Sequence, residues 1–168
     1  MKGKHEEERI VLEEGIEFIE EPEELSKEEF FNLLEAKPEG LELTITRLGK
    51  TYESRYKDQQ GKTRKAFFID YTFKLGDQPK QVGINYNLGT EVAENTFSIG
   101  SQSNLFKLLE IAIEGLPKAK RIRITKEKLE EKLVGLKFIG KAKLIHGMAN
   151  SFYIIEPIRK IEEDDIYV

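Results

Sequence analysis

The chain has 168 residues, 39% hydrophobic and 35% charged, and no cysteine; that suffices for one domain with a proper core plus an appendage, and it excludes disulfides, thiolate metal sites and a cysteine nucleophile. A net charge of −4 hides a partition in which residues 1–40 carry −9, residues 156–168 carry −3 and the middle therefore carries +8. No apolar run approaches the roughly 20 residues that cross a bilayer, and the charged N-terminus lacks a signal-peptide core, so the expectation is a cytoplasmic protein without a membrane role.

Residues 1–37 read as an acidic N-terminal extension. Ile10, Leu12, Ile16, Phe18 and Ile19 suit a short strand or apolar arm, which Pro22 among the glutamates interrupts. Ser26-Lys27-Glu28-Glu29 matches a capping box, in which hydroxyl and carboxylate each satisfy a backbone donor. It predicts a helix with Phe30, Phe31, Leu33 and Leu34 as its apolar stripe. Lys37-Pro38-Glu39-Gly40 ends that helix and sets the boundary with a barrel domain, 38–158, which an acidic tail, 159–168, follows.

From Leu41 the apolar period becomes two. Leu41, Leu43 and Ile45 give a first strand, Phe67, Ile69, Tyr71 and Phe73 a second, and Val82, Ile84 and Tyr86 a third after a Gly76-Asp77 turn. Arg47 to Lys65 reads as a long basic connection with a turn at Asp58 to Gly61, and the segment up to Gly100 as irregular or weakly extended. Ser101 or Ser103 caps a helix with Leu105, Leu108, Leu109 and Ala112 on one stripe, and Thr125 introduces a short one over Lys126 to Leu133. Leu136 to Ile145 and Phe152 to Ile158 supply two closing strands around a His146 to Asn150 turn.

Three strands, a helix and two strands is the order of the OB-fold, a five-stranded, partly open Greek-key barrel, so the expected class is mainly β with α, with the helix between strands 3 and 4 and the acidic arm outside. Three runs carry a resemblance: Gly100-Ser101-Gln102-Ser103-Asn104-Leu105-Phe106-Lys107-Leu108-Leu109, Lys128-Leu129-Glu130-Glu131-Lys132-Leu133-Val134-Gly135-Leu136-Lys137, and Tyr153-Ile154-Ile155-Glu156-Pro157. Over roughly residues 38–157 the chain is similar to phage and prophage single-stranded DNA-binding proteins of the OB-fold type, in which a serine-led helix precedes a Leu-Val-Gly segment and two closing strands. The resemblance implies a replication or recombination accessory that binds single-stranded DNA, or RNA, in the host cytoplasm if phage-encoded. It supplies no contact residues.

The contact residues come from the pattern of cations and rings. Arg47, Lys50, Arg55, Lys57, Lys62, Arg64 and Lys65 interleave with Tyr52, Tyr56 and Phe68, the combination that tracks phosphates and stacks bases. Phe68 lies on the face opposite Phe67 and its core partners, which makes it the better stacking ring. Arg121 and Arg123 share one face of an extended segment, and Lys137, Lys141 and Lys143 line the polar face of the fourth strand. A groove gathering Arg55, Arg64, Lys137 and Lys141 is the expectation for nucleic acid.

Catalysis finds little support: His5 and His146 are the only histidines, no hydrolase, zinc-protease or phosphate-loop spacing occurs, and Asp70 stands alone in its strand as an outward carboxylate. No enzyme activity, metal or cofactor is expected. The ending Glu162 to Val168 resembles the acidic tail by which bacterial single-strand-binding proteins recruit replication or recombination partners, although it lacks their Pro-Phe terminus. An oligomer is compatible with the sequence. The competing reading is a protein-interaction or assembly module that docks a partner through the Phe30/Phe31/Leu34 helix and uses the barrel as scaffold.

Overall fold

A computed structural model describes residues 9–19, 21–57, 61, 63–116 and 121–162. Their elements, in chain order, are β1 (Arg9–Glu13), β2 (Ile16–Ile19), β3 (Glu23–Glu24), α1 (Lys27–Glu35), β4 (Leu41–Leu48), β5 (Tyr52–Lys57), β6 (Thr63–Leu75), β7 (Gln78–Ala93), β8 (Thr96–Gly100), α2 (Asn104–Ala112), β9 (Arg121–Thr125), α3 (Lys126–Leu133), β10 (Lys137–His146) and β11 (Ser151–Lys160). The result is mainly β with few helices: a curled, largely antiparallel half-barrel. Its main sheet runs β11-β10-β4-β6-β7-β8-β9, with β5 added beside β6 and β3 beside β7, and β1 and β2 form a separate hairpin.

The spine is the β6–β7 hairpin, paired from Lys65↔Gly89 to Leu75↔Gln78. Its two-residue loop begins with Gly76 at φ 62, the positive φ that a tight hairpin asks of its first central residue. Strict alternation buries Phe67, Ile69, Tyr71 and Phe73 of β6 against Val82, Ile84, Tyr86 and Leu88 of β7. Leu43 and Ile45 of β4 and Phe138 of β10 extend the same apolar face, and the helices seal it. Leu105, Phe106, Leu108 and Leu109 of α2 and Leu129 and Leu133 of α3 are all buried. Ser103 caps α2 through Phe106 N–H, and Thr125 caps α3 through Lys128 N–H.

Two segments are more regular than the sequence pattern predicts, and a third follows the extended alternation read there. Part of the basic connection is strand β5, the stretch before Gly100 is a β7–β8 hairpin turning at Asn95 (φ 52), and Arg121–Thr125 is the edge strand β9. In β5 and around the β7–β8 turn most described side chains face water, which weakens the apolar alternation there. The bonds that fix them come from neighbouring backbone.

The acidic extension changes more. Its capping box is present, with Ser26 Oγ accepting from Glu29 N–H and the Glu29 carboxylate accepting from Ser26 N–H, and hydrogen bonding from the Ser26 backbone first, then its hydroxyl, holds the Glu29 carboxyl below its ordinary pKa. The apolar stripe is not free for a partner, however. Phe30, Phe31 and Leu34 belong to the main core, Phe30 lies 5.3 Å from the Phe73 ring and Phe31 stacks on Tyr153 at 6.0 Å. A Tyr153 hydroxyl bond to the Glu35 carboxylate at 2.6 Å fastens the helix end and raises the Tyr153 pKa. Upstream, β3 lies parallel to β7 and Lys80 pairs with Glu23. The helix expected to dock a partner packs its apolar stripe into the core of the half-barrel.

Candidate functional site

β7 is fully paired with β6 on one side only. Its other edge meets β3 at Lys80 and Gln81 and β8 from Thr90 onward, so the stretch from Val82 to Gly89 has no strand beside it among the described residues. β11 likewise pairs with β10 and has no second strand beside it among the described residues. A cleft of about 940 Å³ lies at these two edges, with Ile84 to Gly89 and Phe152 to Ile155 in its lining. Lys27 and Asn104, the first residues of α1 and α2, also line it.

The chemistry of this lining is one-sided. Lys27, Arg64 and Arg121 contribute positive charge, Asn85, Asn87, Gln102 and Asn104 contribute amides, and no carboxylate is present among the described lining residues. Arg121 is held in place by Nε donating to Ser98 Oγ at 2.8 Å and Nη2 donating to the Ser98 carbonyl at 3.2 Å. Phe152 is 49% exposed and gives the cleft an aromatic face. At Gly89, where β7 passes from β6 to β8, φ is +85 and an added Cβ would stand 2.7 Å from the Ser98 carbonyl oxygen, so the corner requires glycine.

Of the residues singled out in the sequence, Arg64 and Arg121 both line the cleft. Arg55, Arg123, Lys137, Lys141 and Lys143 are not in its lining, so the expected convergence of Arg55, Arg64, Lys137 and Lys141 does not occur there. Lys137, Lys141 and Lys143 alternate with core-facing Phe138 and Gly140 and lie on the outer face of β10. Arg47 is engaged by Asp70 at 2.9 Å, its cross-strand neighbour in β6, which uses that cation locally. Lys50 is exposed at the β4–β5 corner and Lys65 is half-buried opposite Glu53. Lys62 and the side chains of Tyr56 and Lys57 lie outside the described residues, as do the acidic tail from residue 163 and the first eight residues.

Tyr52 and Phe68 form a separate feature on the outer surface, 38% and 46% exposed, with rings stacked at 5.8 Å and 26°. The corner beneath them is pinned: Gly49 N–H donates to the Phe68 carbonyl at 2.7 Å, and Lys126 Nζ donates to the Gly49 carbonyl at 2.8 Å while sitting 5.4 Å over the Phe67 ring. Burial lowers the Lys126 pKa. Among the described residues no cluster of histidine or carboxylate side chains suited to a metal ion is present.

Sequence reading missed Lys27, Phe152, Asn85 and Asn87. Lys27 was masked by the glutamates around it, and Phe152 carried only the signal of an ordinary strand residue. A comparison with protein-family models, with curated proteins and with solved structures finds no match to this chain.

Proposed function

We propose that the chain is a non-enzymatic binder of single-stranded nucleic acid, DNA foremost, that takes its ligand in the β7/β11 cleft and serves replication or recombination in the manner of phage single-strand-binding proteins. The observation that carries this reading is a cleft with three cations and no described carboxylate in a protein whose net charge is −4. Random placement of an excess of acidic residues disfavours such a lining, and local charge rather than net charge sets attraction for a polyanion. An exposed ring at Phe152 favours unpaired bases, because a duplex hides the base faces that stack.

The topology is in keeping with an OB-type barrel. The neighbours β10-β4-β6-β7 are, among the five strands anticipated from sequence, the fourth, first, second and third, the spatial order of a Greek key, and α2 lies between the third and fourth. The seam between β7 and β11 is where such a barrel stays partly open.

Fluorescence anisotropy of a labelled oligonucleotide, repeated at several salt concentrations, tests the reading. Affinity falls with salt along a log–log line of slope about −0.7 per phosphate neutralised, hence roughly −2 for three cleft cations. Absence of binding at low salt, or binding with no salt dependence, rejects it. Capture of an acidic peptide but of no oligonucleotide transfers the cleft to a protein partner.

A further inference from the structure

We infer that β3 and α1 form a strap across the open seam of the half-barrel, and that Glu35 and Tyr153, its fastening at the β11 rim, are positioning residues that set the width of the cleft. The strap does not need the nucleic-acid reading; only its effect on affinity rests on it. β7 and β11 are not neighbours in the sheet, so the sheet alone leaves the separation of these two rims to bending and twist. The strap joins them. At the β7 rim, β3 lies beside Lys80 and Gln81, Leu25 N–H donates to the Gln81 carbonyl at 2.8 Å and Lys80 pairs with Glu23, immediately before the unpaired stretch begins at Val82. At the β11 rim, the Tyr153 hydroxyl donates to the Glu35 carboxylate at 2.6 Å and the Tyr153 ring stacks on Phe31 at 6.0 Å and 18°.

Between those fastenings runs one rigid piece. α1 starts from the Ser26 cap directly after β3, has nine residues and hence a length of about 13 Å, and is held in the core by Phe30 and Leu34. Its first residue, Lys27, and the tyrosine bonded to its last, Tyr153, both line the cleft. α2 also touches β7 and β11, but through buried Leu105, Phe106, Leu108 and Leu109, whose apolar packing has no preferred direction. The Glu35–Tyr153 bond is directional, and Phe152, the exposed ring of the cleft, is the neighbouring residue on its strand. Loss of that bond frees the rim carrying Phe152 to move relative to the rim carrying Asn85 and Asn87. A ligand that spans both rims then has to order them on binding, which lowers its affinity.

The chain contains no cysteine, so paired thiols introduced at chosen positions carry nitroxide labels without background. Asn87→Cys/Ser151→Cys spans the seam and Lys74→Cys/Asn87→Cys stays within the β6–β7 hairpin as control, all three positions being exposed. Double electron–electron resonance on the ligand-free protein reads the rim separation. The expected result is a narrow seam distribution in the parent, kept by Glu35→Gln, which retains an acceptor, and broadened by Tyr153→Phe and Glu35→Ala, with the control pair unchanged. In the unlabelled protein, Tyr153→Phe weakens oligonucleotide binding about threefold or more, the worth of one exposed hydrogen bond, and Glu35→Gln does not. Identical seam distributions in the parent and in Tyr153→Phe overturn the strap. Equal broadening of the seam and control pairs overturns it too, because it marks a general loosening of the fold. A broadened seam with undiminished oligonucleotide affinity overturns the positioning role, whereas a broadened seam in a protein that binds no oligonucleotide supports the strap and overturns the nucleic-acid reading.

Discussion

Tyr71 and Tyr86 face each other inside the half-barrel with their hydroxyls 2.5 Å apart, the one polar contact between side chains in an otherwise apolar stretch of the described β6–β7 core. Each hydroxyl satisfies the other, so removing one leaves a buried group unpaired whereas removing both does not. Tyr86→Phe is expected to cost about 1–3 kcal/mol in urea denaturation, and the double Tyr71→Phe/Tyr86→Phe variant to recover most of it. Burial, and for Tyr71 also the neighbouring phenol, pushes both pKa values well up. The folded state thus holds its protons after the unfolded chain begins to lose them near pH 10, and stability is complete below that pH and declines above it. Thermal midpoints from about pH 8 to about pH 11 should show this alkaline decline, flattened in the double variant. The sequence pattern placed Tyr71 and Tyr86 on core faces because alternation sorts faces; it is silent on which tyrosines meet, since Tyr71 stands opposite Val82 and Tyr86 opposite Phe67 in the ladder and their hydroxyls come together only inside the curled sheet.

At the scale of elements, capping boxes and periodicity were legible because they are local. Ser26, Ser103 and Thr125 each cap the helix that their sequence context announced. Where α1 docks was not legible, since an amphipathic helix states that it needs an apolar partner without saying which. Its glutamates suggested an appendage, whereas Phe30 is fully buried against Phe73. Phe30→Ala should therefore cost about 3–5 kcal/mol, as truncation of a core aromatic does, and a chain beginning at residue 38 should lose cooperative unfolding. Retention of a full cooperative transition by that shortened chain would refute the structural role of α1. Gly89→Ala should cost on the order of 1–3 kcal/mol, because it combines a positive φ with a clash against the Ser98 backbone, and it should distort the cleft corner as well. Urea melts compared with those of Gly61→Ala, where a Cβ meets nothing within 4 Å, separate crowding from the strain common to both positive-φ sites.

Over the whole molecule, the charge partition indicated a basic middle but not its layout. Cations scattered between residues 47 and 143 were expected to converge; folding sends Arg64 and Arg121 to the cleft, pairs Arg47 with Asp70 and leaves the β10 lysines on another face. Long-range strand order decided this, and one sequence holds little information on it. The claim at the centre of the account is that charge at the cleft, rather than overall basicity, binds the strand. The direct measurement is oligonucleotide affinity by anisotropy for Arg64→Glu/Arg121→Glu beside Lys137→Glu/Lys143→Glu, two variants with the same change in net charge and with folding verified by circular dichroism. Since long-range repulsion is screened over about 8 Å at physiological salt, the cleft variant should lose at least about tenfold in affinity and the β10 variant only a few-fold. Equal losses, or a larger loss in the β10 variant, would contradict the account.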